Sequence, residues 1–221
     1  MPSKNSVKQF EPESMYHVYN RGNNKRQIFL DKQDYSVFLS FLKYALLSVE
    51  EFSAREQVDK DVISNAAQFN LRRLRLSKEL ELVSFCLLPN HFHLQLYQFS
   101  ENAITRLMRS VMTGYVLYFN KRYDTSGSLF QGTYKAVKVN SEPYWQHLSR
   151  YIHLNAEDVG ADFRYYDYSS YKYYAQLAKA DWVNPEKGLC DLSLEDYEKY
   201  IVDWKQKKYK QKEENSLFAD K

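Results

Sequence analysis

Two cysteines, Cys86 and Cys190, are all that the 221 residues contain. Thiols so few and so far apart build neither a disulfide framework nor a zinc cluster, and they suit a reducing compartment. No apolar run approaches the ~20 residues needed to cross a bilayer. The N-terminal stretch MPSKNSVKQFEPES is polar and lacks the apolar core of a secretory signal. Internal repeats are absent too, which removes the repeat architectures. The expectation is a soluble, cytoplasmic protein without membrane attachment, built as one domain with appendages.

Strong charge is also missing, since the net value is only +3. Its distribution says more. Between residues 100 and 155 seven Lys/Arg face three acids, and the chain holds 20 tyrosines and 13 phenylalanines. Aromatics mixed with basic residues suit a surface that stacks bases and neutralises phosphates. The competing reading is that most of them are core residues and solvated helix faces.

Alternation predicts a strand over 14–20, SMYHVYN, closed by the turn RGNN. Helical spacing of Val37, Phe38, Phe41, Leu42, Ala45 and Leu46 predicts a helix over 34–49, with Asp31 or Asp34 near its start. The charged, irregular stretch 50–78 reads as an insertion with a helix of its own. LELVSFCLL is a strand, Pro89-Asn90 turns the chain, and HFHLQLYQ returns. A long helix follows over 101–122, then a strand over 129–139, LFQGTYKAVKV. Ser141 is placed to cap a helix over 142–160 with Pro143 in its first turn. A tyrosine-rich, loop-like segment and a last helix over 194–212 complete the chain.

This order predicts an α+β fold, the ferredoxin-like split βαβ pattern of an antiparallel sheet with helices on one face. The predicted division is a polar arm over 1–13, a catalytic domain over 14–175 and a C-terminal helical extension with a basic tail over 176–221.

The chemistry concentrates in LLPNHFHLQLYQ, residues 87–98. His91 and His93 alternate on a strand, so both imidazoles point to one face and can reach one cation. An exposed or hydrogen-bonded pair reads equally well from this spacing. Tyr151 and Asn155 lie four apart, stacked on one helical face. The amide offers an oxygen ligand and the phenol a nucleophile. A core tyrosine followed by a C-capping asparagine is the alternative.

The stretches YHVYNRGNNKRQIF (16–29), LLPNHFHL (87–94), GSLFQGTYKA (127–136) and LSRYIHLN (148–155) stand in this order along the chain. In that arrangement the chain resembles the HUH-class single-tyrosine transposases, above all their REP-associated branch. The similarity runs from 14 to about 175. Three details differ: Ala156 follows Asn155 where proline is usual, Thr133 stands where arginine is frequent, and the 50–78 insertion is long.

The resemblance implies a ferredoxin-like enzyme that cuts single-stranded DNA with Mg²⁺ or Mn²⁺. It implies His91, His93 and Asn155 as metal ligands and Tyr151 as the nucleophile, forming a 5′-phosphotyrosine at hairpin-flanked or palindromic sites. His153 matches no motif ligand. Arg21, Phe130, Gln131, Lys135, Lys138, Arg106 and Arg109 are the expected DNA contacts, with Arg106 and Arg109 reading equally as a solvated helix face. Monomer and homodimer both remain open, and nucleoid association is expected. Two other readings stand beside this one: a domesticated binder of hairpin DNA or RNA that no longer cuts, and a nuclease that nicks and releases.

Overall fold

The computed structural model describes residues 10–48 and 74–219, with side chains described as far as residue 206. Strand β1, Ser14–Arg21, alternates between the two faces of the sheet. Helix α1, Lys32–Leu46, begins at Asp31, whose carboxylate accepts hydrogen bonds from the backbone N–H groups of Gln33 and Asp34. Strands β2, Leu80–Leu88, and β3, His91–Gln98, form a hairpin around Pro89-Asn90. Helix α2, Ala103–Arg122, leads to β4, Lys135–Val139, and then to α3, Glu142–Leu154. Two short helices, α4 (Tyr171–Tyr174) and α5 (Glu186–Leu189), precede the long α6, Leu194–Ala219.

The sheet order is β2-β3-β1-β4, with every neighbour antiparallel. This is the α+β split βαβ arrangement that the element order predicts. Helices α1 and α2 pack together on one face, over a core that includes Val18, Phe38, Phe41, Phe85, Phe92, Leu94, Met108 and Tyr115. Gly114 lets the two helices approach: a Cβ there would lie 2.4 Å from the Phe41 ring. Asp34 is fully buried beside them. It accepts from Leu30 N–H, Tyr118 Oη and Tyr123 Oη, and pairs with Arg122 at 2.9 Å.

Helix α3 takes the other face. Leu148 and Ile152 pack onto Cys86 and Leu88 of β2, residues opposite in parity to the Phe85 and Leu87 of the main core. Helix α6 braces α3 from behind: Arg150 stacks its guanidinium 4.2 Å from the Tyr200 ring and 4.8 Å from Trp204. His153 is fully buried, with Nδ1 2.9 Å from Tyr197 Oη and Nε2 2.8 Å from Ser170 Oγ. The segment before α4 covers the outer edge of β2, where Leu87 N–H donates to Tyr168 O and Ser170 N–H donates to Phe85 O. An otherwise open strand edge is thereby closed.

Four elements differ from expectation. The strand read over 129–139 is regular only from Lys135; before it, Phe130 makes an isolated bridge with Gly22 and turns its ring inward. The helix from Glu142 stops at Leu154 and tightens into a 3₁₀ turn, Asn155–Val159, ended by Gly160 at φ 74°. Ser141 does not cap with its hydroxyl. Its carbonyl accepts from the N–H groups of Tyr144 and Trp145 instead. Helix α6 continues seven residues past Lys212. The insertion over 50–78 lies mostly, and the polar arm largely, outside the described residues, and the basic tail's side chains beyond 206 do so as well.

Candidate active site

His91 and His93 lie on the α3 face of β3, because Phe92 between them turns into the core. Antiparallel pairing sets Arg21 opposite His91 and Tyr19 opposite His93. His17, two residues before Tyr19, therefore becomes the diagonal neighbour of His93. Its Nε2 lies 2.8 Å from His93 Nδ1. His91 Nδ1 lies 2.6 Å from Asn90 Oδ1. Both β3 imidazoles thus engage Nδ1, and Nε2 of each is left for a further partner.

Their environment keeps these rings neutral. Burial lowers the His17 pKa to about 4. His93 is held well below 6.5 by burial first, then by His17, His91 and Arg21. His91 is lowered by burial and by Arg21, against an opposing pull from Asp158. Neutral imidazoles keep the lone pair that a metal needs.

Helix α3 brings Tyr151 over this floor. Its ring centroid stands 5.7 Å from that of His93 and 5.9 Å from that of His17, both edge-on. The tyrosine is 43% exposed, whereas Ile152 and His153 beside it are fully buried, so the helix is anchored by its back and offers Tyr151 from its front. Asn155, one turn on, donates Nδ2–H to Tyr151 O at 2.7 Å and to Ile152 O at 3.4 Å. Its Oδ1 is the atom left to accept or ligate. The Tyr151 pKa is raised, chiefly by burial and then by the Asp158 carboxylate, while the Asn155 hydrogen bond opposes the rise. The phenol stays protonated unless positive charge arrives.

A cleft of about 520 Å³ gathers His91, His93, Tyr151 and Asn155 with Arg21, Gln131 and Lys135. Tyr19 and Asp158 line it as well. Lys135 Nζ sits over the Tyr19 ring, 5.9 Å from its centroid. Among the described residues no three His, Cys, Asp or Glu side chains converge as a metal cage. Two neutral imidazole nitrogens, one amide oxygen and the Asp158 carboxylate are the donors in the lining, a set that fits a divalent cation completing its shell with phosphate and water.

Four expected DNA contacts are not brought to this cleft. Phe130 is 3% exposed, and its ring packs in the core against Phe92 and Tyr115. The isolated bridge to Gly22 goes with this inward placement. Lys138 is ion-paired with Glu11. Arg106 and Arg109 lie on α2, on the far side of the sheet, and Arg106 pairs with Glu79 at 2.7 Å.

Two cleft residues, Tyr19 and Asp158, escape sequence reasoning, and so does His17, which touches His93 from beside the cleft. His17 and Tyr19 share strand parity, yet they sit over 70 positions from His93, and only the register joins them. Asp158 stands seven residues after Tyr151, two helical turns along, which is the signal that was available.

A family model described as "Transposase IS200 like" matches residues 42–155, just over half of the chain and the span that holds both histidines, Tyr151 and Asn155. No curated protein matches the chain. The structure of a REP-associated tyrosine transposase bound to a REP hairpin aligns with a TM-score of 0.51 at 14% identity, covering 82% of this chain and 92% of that one. At that identity the likeness is one of fold. A crystal structure of a transposase candidate from Deinococcus radiodurans R1 aligns at 15% identity over 73% of this chain and 99% of that one, with a TM-score of only 0.35.

Proposed function

The chain belongs to the IS200-like transposase family, and from that premise we propose that it cuts and rejoins single-stranded DNA at hairpin-flanked sites through Tyr151. The observation that supports this most is the shared cleft: a half-exposed phenol, two neutral histidines and an amide oxygen in one polar hollow with Arg21 and Lys135 at its wall. Duplex DNA would not offer its backbone freely to such a hollow, so the substrate is an unpaired strand. The structurally similar transposase bound to a REP hairpin supports the hairpin as the flanking element.

In this reading Arg21 and Lys135 hold the backbone on either side of the scissile phosphate. His91 Nε2, His93 Nε2 and Asn155 Oδ1 would hold Mg²⁺ or Mn²⁺, which when bound would supply Lewis-acid polarisation of a phosphate oxygen. His17 fixes the ring of His93, and Asn90 fixes that of His91. Tyr151 Oη attacks phosphorus as its proton leaves. The P–O bond to the 3′-oxygen breaks, and that oxygen takes up a proton to become a free 3′-hydroxyl. The 5′-phosphotyrosine keeps the phosphodiester energy, so an incoming 3′-hydroxyl can reverse the step and join strands.

A labelled hairpin oligonucleotide and a second strand with a free 3′-hydroxyl test this. Strand transfer yields a joined product of added length. Cleavage with no joined product would favour a nicking nuclease, and binding with no cleavage a domesticated nucleic-acid binder.

A further inference from the structure

Tyr151 is the wall between two clefts. On one side lies the polar hollow described above. On the other, between β4 and α3, lies a second cleft of about 510 Å³, whose lining includes Val137, Val139, Leu148, Tyr144 and Tyr151 together with the polar His17, Lys138, Asn140 and His147. The two differ in chemistry. The first gathers cationic, imidazole, amide and carboxylate groups, while the second adds valine and leucine carbon and a second phenol ring to its polar residues.

Three large apolar side chains are left open around this second cleft. Tyr144 is 67% exposed, Val137 52% and Tyr151 43%. Exposed aromatic and aliphatic surface concentrated in one place marks a binding surface more often than scattered single residues do. Tyr144 and Tyr151 are seven residues apart, two turns of α3, so their rings lie on one helix face about 10 Å apart along the axis. Lys138, the cationic residue of the lining, is paired with Glu11. The cleft is therefore shaped for a flat, largely uncharged group and not for a phosphate.

We propose that this cleft is a nucleobase subsite, in which Tyr144 stacks on the unpaired base of a nucleotide flanking the scissile phosphate. The inference rests on the reading of Tyr151 as nucleophile and extends it. A strand whose phosphate lies against Tyr151 has the second cleft on the other side of that residue, within reach of a flanking nucleotide. A phenol ring stacks on any base, because every base has a π-face, so this subsite orders the strand without reading its sequence.

The test measures DNA affinity in the Tyr151→Phe protein, which keeps the ring and removes the nucleophile. Oligonucleotides carrying one abasic position at a time along the single-stranded arm are compared with and without Tyr144→Ala. Tyr144→Ala is expected to weaken binding of the intact strand about ten-fold, the equivalent of ~1.4 kcal/mol. One abasic position should weaken the parent protein by a similar factor and the Tyr144→Ala protein less than two-fold. Tyr144→Phe should bind like the parent. Equal affinity of Tyr144→Ala and parent, or abasic losses that are the same in both, would overturn the subsite. The phosphotyrosine reading fails separately: it falls if the wild-type protein forms no covalent adduct, whatever the abasic pattern. A protein that binds no strand at all overturns both.

Discussion

Nε2 of His17 and Nδ1 of His93 stand 2.8 Å apart, so two histidines from paired strands share one hydrogen bond at the edge of the polar cleft. The bond has two settings. With the proton on His93 Nδ1, His93 keeps a lone pair on Nε2 for a metal; with the proton on His17 Nε2, a neutral His93 carries its hydrogen on Nε2 and cannot ligate. The metal-competent setting therefore needs an acceptor at position 17.

His17→Ala removes that acceptor. Mn²⁺ affinity, read from the free-ion signal by electron paramagnetic resonance, should fall 10- to 100-fold, about the effect of losing a partner that orients a ligand histidine. His17→Gln, with an amide oxygen to accept from Nδ1–H, should recover part of the loss. Unchanged affinity in His17→Ala would make the contact incidental.

His91→Ala and His93→Ala should each abolish cleavage while the fold persists, since neither ring belongs to the main core. They should differ in stability. His93 is itself buried, so removing it leaves a gap and deprives the half-buried His17 of its partner, a penalty of ~1–3 kcal/mol, whereas His91 is half-buried and gives up a bond to Asn90. Chemical denaturation of the two variants checks the order. Near wild-type cleavage by either would remove it from the metal site.

Much of this site was legible in the chain. Alternation in HFHLQLYQ aims His91 and His93 one way whatever the fold, and the four-residue step from Tyr151 to Asn155 does the same on a helix. His17 was not legible, because its role arises from strand register, which no local pattern in SMYHVYN specifies. Phe130 misled for a related reason. Its stretch reads as a strand, yet only Lys135–Val139 joins the ladder, and the ring, beside a single bridge to Gly22, lies inward. Charge alone left Arg106 and Arg109 open between DNA contacts and a solvated helix face, and the layer assignment, which no local pattern gives, puts α2 on the opposite face from α3.

That separation gives a charge prediction. Single-strand affinity should fall steeply with salt, with a slope of ~0.7 per phosphate contact. Arg21→Ala with Lys135→Ala should lower the slope by about 1.4, because each cation removed leaves one phosphate with its counterion. Arg106→Ala should leave it unchanged, since that guanidinium pairs with Glu79 behind the sheet. Equal effects from both changes would mean that DNA wraps the far face as well.

Acid should unfold the protein through His153. Complete burial pushes its pKa from 6.5 to about 3, so the unfolded chain binds the proton more readily than the folded one. The stabilisation is full above pH 6.5 and is lost as pH falls from 6.5 towards 3, at about 1.4 kcal/mol per pKa unit. The melting temperature should drop across that window, and His153→Gln should flatten the drop. An identical pH profile in the variant would assign the acid sensitivity elsewhere.

The central claim is that Tyr151 is the attacking group. The wild-type chain, incubated with Mn²⁺ and a single-stranded oligonucleotide bearing a hairpin and a 5′ extension, should give a protein–DNA adduct that survives denaturing electrophoresis. Tyr151→Phe loses one oxygen and keeps its ring, so it should bind the same DNA and give no adduct. An adduct retained in Tyr151→Phe would contradict the account and move the nucleophile to another residue, with Tyr144 the first to examine.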